Sequence, residues 1–140
     1  MELIANAVQE VNVNQNVLFN ETAVCGNCSM HHREGSGLIT VRGLTNTQNR
    51  ARFRVSFGAN IAIPTGGTVE PITIGIALDG EALASTFMTS TPAAVDQFNN
   101  VHGSAFLDIP RGCCGTISVK NISPQTIEIR NANLIVERVA

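Results

Sequence analysis

The sequence predicts an all-β fold, a β-sandwich of two antiparallel sheets with about eight to ten strands. Two observations carry this expectation. Between Phe53 and Gly80 lie two apolar alternating runs joined by the turn Pro64-Thr65-Gly66-Gly67. Elsewhere the patterned segments are short, strand-like and closed by Gly, Pro or Asn, and no stretch carries the periodicity of a long helix.

The weak alternation of residues 7–14 (AVQEVNVN) predicts a first strand, closed by the turn Asn14-Gln15-Asn16, and Val17-Leu18-Phe19 begins a second that runs toward Val24. Residues 25–37 (CGNCSMHHREGSG) are polar and glycine-punctuated, a loop with a short extended piece at residues 30–33. Residues 38–42 (LITVR) form a compact strand. In the long run that follows, Phe53, Val55, Phe57, Ala59, Ile61 and Ile63 share one face, while Arg54, Ser56, Gly58 and Asn60 share the other. Successive strand side chains point to opposite faces, so this is a half-buried strand with a solvated or contacting back. Ile72, Ile74, Ile76 and Leu78 likewise share a face opposite Thr73, Gly75 and Ala77, and Asp79-Gly80-Glu81 is a tight turn.

Residues 83–89 resume strand character, and residues 91–96 (TPAAVD) fit one helical turn with proline near its start. Residues 105–109 and 116–122 are strands around the turn Pro110-Arg111-Gly112, with Ile117 and Val119 inward and Ser118 and Lys120 outward. The last strand, residues 126–139, changes phase. Leu134-Ile135-Val136 is apolar on both faces, so one face meets the core and the other a neighbouring subunit.

The 140 residues make a single domain, 1–140, large enough to bury a substantial core. Charged residues are 14%, well below the roughly 25% of typical soluble domains, so the surface is unusually neutral or partly buried in an oligomer. The net charge of −2 offers no general attraction to nucleic acid or to an anionic membrane. The first residues, with Glu2 and no basic flank, do not read as a secretory leader, and no apolar run is long enough to insert in a bilayer.

The strand order resembles the jelly roll of the tumour-necrosis-factor and complement-globular-head superfamily over nearly the whole chain. The residues that carry the likeness are Gly37-Leu38-Ile39-Thr40-Val41 with Gly43, the long strand from Phe53 to Ile63, Ile74-Gly75-Ile76-Ala77-Leu78 before Asp79-Gly80-Glu81, Gly103-Ser104-Ala105-Phe106-Leu107, and the closing apolar strand. More narrowly, His32-Arg33-Glu34-Gly35-Ser36-Gly37, the segment Ala59 to Gly67 and the segment Asn131 to Arg138 resemble small proteins of phages and prophages of gut Firmicutes. The wider resemblance implies a homotrimer, and a crossing from one sheet to the other between residues 63 and 72. The narrower one implies a phage structural protein, a capsid decoration or head fibre assembled in the host cytoplasm and carried on the virion. Its partners would be a capsid protein and a host surface ligand. The trimer interface is expected at Arg54, Ser56, Gly58, Asn60, Leu134 and Val136. The alternative is a lectin-like or spore-coat-like head on a bacterial cell or spore surface that binds a glycan or receptor, although the chain has neither Trp nor Tyr for an aromatic sugar platform.

Four cysteines and two histidines form the sharpest chemical motif. Cys25 and Cys28, followed by His31 and His32, offer soft and borderline zinc ligands, with Cys113 or Cys114 as a fourth; a disulfide or free thiols are the other readings. Cys113 and Cys114 open a strand and are expected on opposite faces, one in the core and one toward a neighbour. Arg50, Arg52 and Arg54 share a face, read as an anion grip or as a solvated row paired with Glu128 and Glu137. No nucleophile elbow, metalloprotease motif, P-loop or dinucleotide fingerprint is present, and His102 with Asp96 and Ser104 is only an inventory. No enzymatic activity and no cofactor are expected, zinc excepted.

Overall fold

The computed structural model describes all residues from Met1 to Ala140. In chain order the strands are β1 (Glu2–Ala5), β2 (Gln9–Val11), β3 (Glu21–Val24), β4 (Met30–His32), β5 (Ile39–Arg42), β6 (Arg50–Ala62) and β7 (Ile72–Leu78). They continue with β8 (Glu81–Ala82), β9 (Met88–Ser90), β10 (Asn99–Pro110), β11 (Cys114–Asn121) and β12 (Ile127–Arg138). The first sheet runs β10-β6-β12-β1-β3, with β2 also paired to β12; the second runs β4-β5-β11-β7-β8, with β9 also on β7. Every pairing is antiparallel.

The two expected core strands lie in different sheets, so the chain crosses the sandwich between residues 63 and 71. Phe53, Val55, Phe57, Ala59, Ile61 and Ile63 are all buried, as are Ile72, Ile74 and Ile76 from the facing sheet. This interdigitated layer is the core. Phe19 and Phe57 meet edge-on in it, ring centroids 6.3 Å apart.

The ladder of β7 is interrupted between β8 and β9 by a single 3₁₀ turn at Ala84–Thr86, where the sequence predicts a continuous strand. Thr86 repairs the gap: its Oγ1 accepts the Ile76 N–H at 2.9 Å and donates to the Leu83 carbonyl at 2.7 Å. Residues 91–96 form bends and a turn rather than a helical turn. Asp96 ends that turn in the left-handed region, φ 56°, and its N–H donates to the Ile63 carbonyl. The polar centre of the fold is Asn121, fully enclosed. Its Nδ2 donates to the Val11 and Gln125 carbonyls and its Oδ1 accepts the Ser123 N–H, which pins the end of β11 to β2.

Strand β12 changes its inward phase at an irregularity between Arg130 and Asn133, where Asn131 takes φ 53°. One extra residue in a strand shifts all later side chains to the other face. Ile127 and Ile129 are inward before it; Ala132, Leu134 and Val136 are inward after it.

Candidate functional site

The outer face of the first sheet collects four of the six residues expected at a subunit contact. Arg54, Ser56, Gly58 and Asn60 lie along β6 with their neighbours in register: Phe106, Ser104, His102 and Asn100 on β10, and Glu137, Ile135 and Asn133 on β12. Ser56, Gly58 and Ser104 keep the middle of this face small, and the Glu2 carboxylate on β1 borders it, accepting from Asn133 Nδ2 at 2.7 Å. His102 Nε2 lies 3.2 Å from Ser56 Oγ, and Asn100 and Asn131 bond to the Asn60 amide. Gly58 leaves room, since a Cβ there would meet only His102 Cδ2 at 3.4 Å and the Val101 carbonyl at 3.7 Å.

Leu134 and Val136 are not on this face. Both are fully buried in the chain's own core, because the irregularity in β12 reverses the phase, and the exposed residue of the trio is Ile135, 38% accessible. Phe106, 66% accessible, is the apolar residue the sequence reading passed over. Its phase was legible, for it alternates with the inward Leu107 and Ile109 and falls beside Asp108.

The arginine row is paired. Arg50 and Arg52 share Asp108, at 3.0 and 2.8 Å, and Arg54 reaches Glu137 at 3.3 Å. The expected partner Glu128 lies at the far end of β12 instead. The hydrogen bond from Arg52 is the main reason the Asp108 carboxyl sits below its ordinary range.

At that far end, Glu128 is in register with Glu10 on β2 and neighbours Asp96, with no ion pair. Burial, then the neighbouring Asp96 and the charge of Glu10, hold its carboxyl above the usual range. A carboxyl that keeps its proton more tightly when folded loses stability as pH rises past its unfolded pKa. Glu128→Gln should therefore raise the melting temperature at pH 7 by roughly 1–3 °C, the small size reflecting solvent screening. The gain should vanish below about pH 4, where both states are protonated. Melting curves at the two pH values check this, and a destabilised variant at pH 7 contradicts it.

The cysteine and histidine motif does not converge. All four cysteines are free and exposed, and no three His, Cys, Asp or Glu side chains group as a metal site. His31 and His32 are adjacent in β4 and so point to opposite faces. Both ring nitrogens of His32 are occupied: Nε2 donates to the Ser36 carbonyl, which leaves Nδ1 to accept from Thr22 Oγ1, each at 2.9 Å. This histidine pins the loop before β5. Neither Cys113 nor Cys114 enters the core, since Cys113 belongs to the turn and Cys114 takes the outward phase opposite Gly115. The catalytic inventory is likewise dispersed: Asp96 accepts from Thr65 Oγ1 at 2.5 Å, while His102 and Ser104 lie on the open sheet face.

No family model matches the chain, and no curated protein matches it in sequence. Its fold is similar to that of the globular domain of zebrafish complement 1qA protein, with a TM-score of 0.62 and 12% identity over 96% of this chain and 93% of that one. The C-terminal domain of EclA, a sugar-binding protein, aligns over 95% of this chain and 79% of its own, at 13% identity and a TM-score of 0.40, too low to carry an argument. The chain has a jelly-roll β-sandwich fold of the complement-globular-head and tumour-necrosis-factor type.

Proposed function

We propose that the chain is a non-enzymatic globular head that works as a homotrimer, with the outer face of its first sheet packed around the threefold axis. The observation that carries this reading is the composition of that face, where the small residues Ser56, Gly58 and Ser104 are flanked by the exposed Phe106 and Ile135. Small neutral residues let two backbones approach closely, and exposed aromatic and aliphatic side chains supply apolar area to bury. A trimer of this kind buries interface in the obligate range, above roughly 2,000 Å². The narrower sequence resemblance extends the proposal: the trimer decorates a phage capsid or forms a head fibre, bound to a capsid protein on the virion surface and presenting loops to the host. The locus tests that extension. A major capsid gene beside this one supports it, and a spore-coat or secretion locus contradicts it.

The second reading, a lectin-like head, is favoured by one feature, a polar cleft at the arginine end of the sandwich.

A further inference from the structure

The largest cleft, about 750 Å³, opens at the end of the sandwich where the segments 27–29, 43–48 and 111–112 meet Arg138. Its volume lies in the range of small-molecule sites, but its chemistry is unlike most of them, which are largely apolar. Asn27, Thr45, Asn46 and Gln48 line it together with the guanidinium groups of Arg111 and Arg138, and no Asp or Glu does. No Asp or Glu pairs with either arginine, for the three side-chain ion pairs of the molecule all belong to Arg50, Arg52 and Arg54, and Arg138 Nε instead meets an oxygen of Ala140, the last residue of the chain. Arg138 is held by Ser29 Oγ at 3.1 Å and the Ala140 backbone oxygen at 3.3 Å, which leaves three of its five donors free. A smaller hollow of about 400 Å³ shares Thr47 and Gln48 with the cleft and is lined by Arg50 and Arg52, two cations on one carboxylate, Asp108. A chain of net charge −2 thus gathers an excess of positive charge at one end.

Backbone hydrogen bonds tie the segments around the cleft to one another. Gly43 N–H donates to the Cys113 carbonyl at 2.8 Å, Gly112 N–H to the Gly43 carbonyl at 3.1 Å, and Arg42 N–H to the Ser29 carbonyl at 2.8 Å. The first of these needs glycine, because a Cβ at Gly43 would overlap the Pro110 carbonyl. Preorganised donors lower the ordering cost of binding.

We infer that this cleft binds an acidic saccharide, its carboxylate or sulfate groups held by Arg111 and Arg138 and its hydroxyls by the surrounding amides and Thr45. Guanidinium forks match planar or tetrahedral oxyanions with charge-assisted hydrogen bonds. The few apolar lining groups give a protein partner no anchor of the kind that dominates protein interfaces. The absence of an aromatic platform disfavours stacked nucleic-acid bases and stacked neutral sugars alike, so the ligand is held by its charges and hydroxyls. This inference gives the ligand-presenting part of the proposed head its chemistry, but it does not depend on the trimer.

Calorimetric titration tests it with four probes: a heparin-derived hexasaccharide for sulfate, an oligogalacturonate for carboxylate, maltohexaose as the neutral control and a single-stranded oligonucleotide. At least one acidic saccharide should bind, weaken as salt rises, and lose about tenfold in affinity with Arg111→Ala, a substitution at an exposed side chain that leaves the backbone bond to Asn49 in place. The inference is overturned if neither acidic saccharide binds, if maltohexaose binds equally well, if the oligonucleotide binds more tightly than both, or if folded Arg111→Ala binds as the unmodified chain does. Sedimentation of the same samples reports assembly separately, so loss of the trimer and loss of saccharide binding are distinguishable.

Discussion

Gly58→Glu is expected to yield a folded monomer, and the unmodified chain, if the proposed assembly forms, a trimer. The substitution fits the isolated subunit, because a Cβ at Gly58 makes only ordinary contacts with His102 and Val101 and the strand there points its side chains outward. In a threefold assembly the same change appears three times around one axis. Three carboxylates brought together in a water-poor strip cost several kcal/mol, on the order of a thousandfold in assembly. Asn60→Arg should act in the same direction, with the added loss of the amide contacts to Asn100 and Asn131. Sedimentation velocity reads the assembly, and circular dichroism confirms that the fold is retained. A trimer that tolerates both substitutions contradicts this choice of interface.

Phe57→Ala carries the largest expected effect on the fold itself. Phe57 is fully enclosed at the middle of the first sheet, in register with Gly103 on one side and Leu134 on the other, and its ring meets Phe19 edge-on. Gly103 has no side chain that can swing into the space. The surrounding Ile and Val rotamers are stiff, so the cavity persists and truncation should cost about 3–5 kcal/mol. Against the roughly 5–15 kcal/mol that holds an ordinary domain folded, that is enough to leave a marginal protein. Urea denaturation of Gly58→Glu with and without Phe57→Ala measures the cost without contribution from assembly. A loss under about 1 kcal/mol would mean that the site collapses or that Phe57 is not the core residue described.

The long strand was legible because alternation over a dozen residues leaves no second register that buries as much, whereas its crossing to the other sheet followed only from the resemblance to the jelly roll. The outward phase of Arg54, Ser56, Gly58 and Asn60 follows from that same alternation, and the exposure of Phe106 follows from its own strand, where it shares a face with Asp108 opposite Leu107 and Ile109. Strand β1 escaped the sequence reading since four residues, ELIA, are too few to display a period; the strand exists because β12 and β3 pair with it on either side. Leu134 and Val136 were assigned to the wrong face for a local reason. The phase change was legible, but an apolar trio on both faces does not say which of its members faces the core, and the extra residue at the Asn131 irregularity turns Leu134 and Val136 in and Ile135 out. Asn at that point was the available signal, as it tolerates the left-handed conformation at low cost. Of the readings of the cysteine motif the structure shows the free thiols, and the residues of the zinc and disulfide readings do not come together because spacing along a chain says nothing about which sheet face each residue takes. The polar cleft could not be read in advance, since it is assembled from loop segments that lie far apart in the sequence.

An interface on the outer face of the first sheet requires that the chain assemble, and sedimentation equilibrium of the unmodified protein at micromolar concentration measures that directly. The prediction is a single species of about three times the 14.9 kDa chain mass. A stable monomer at that concentration would contradict it.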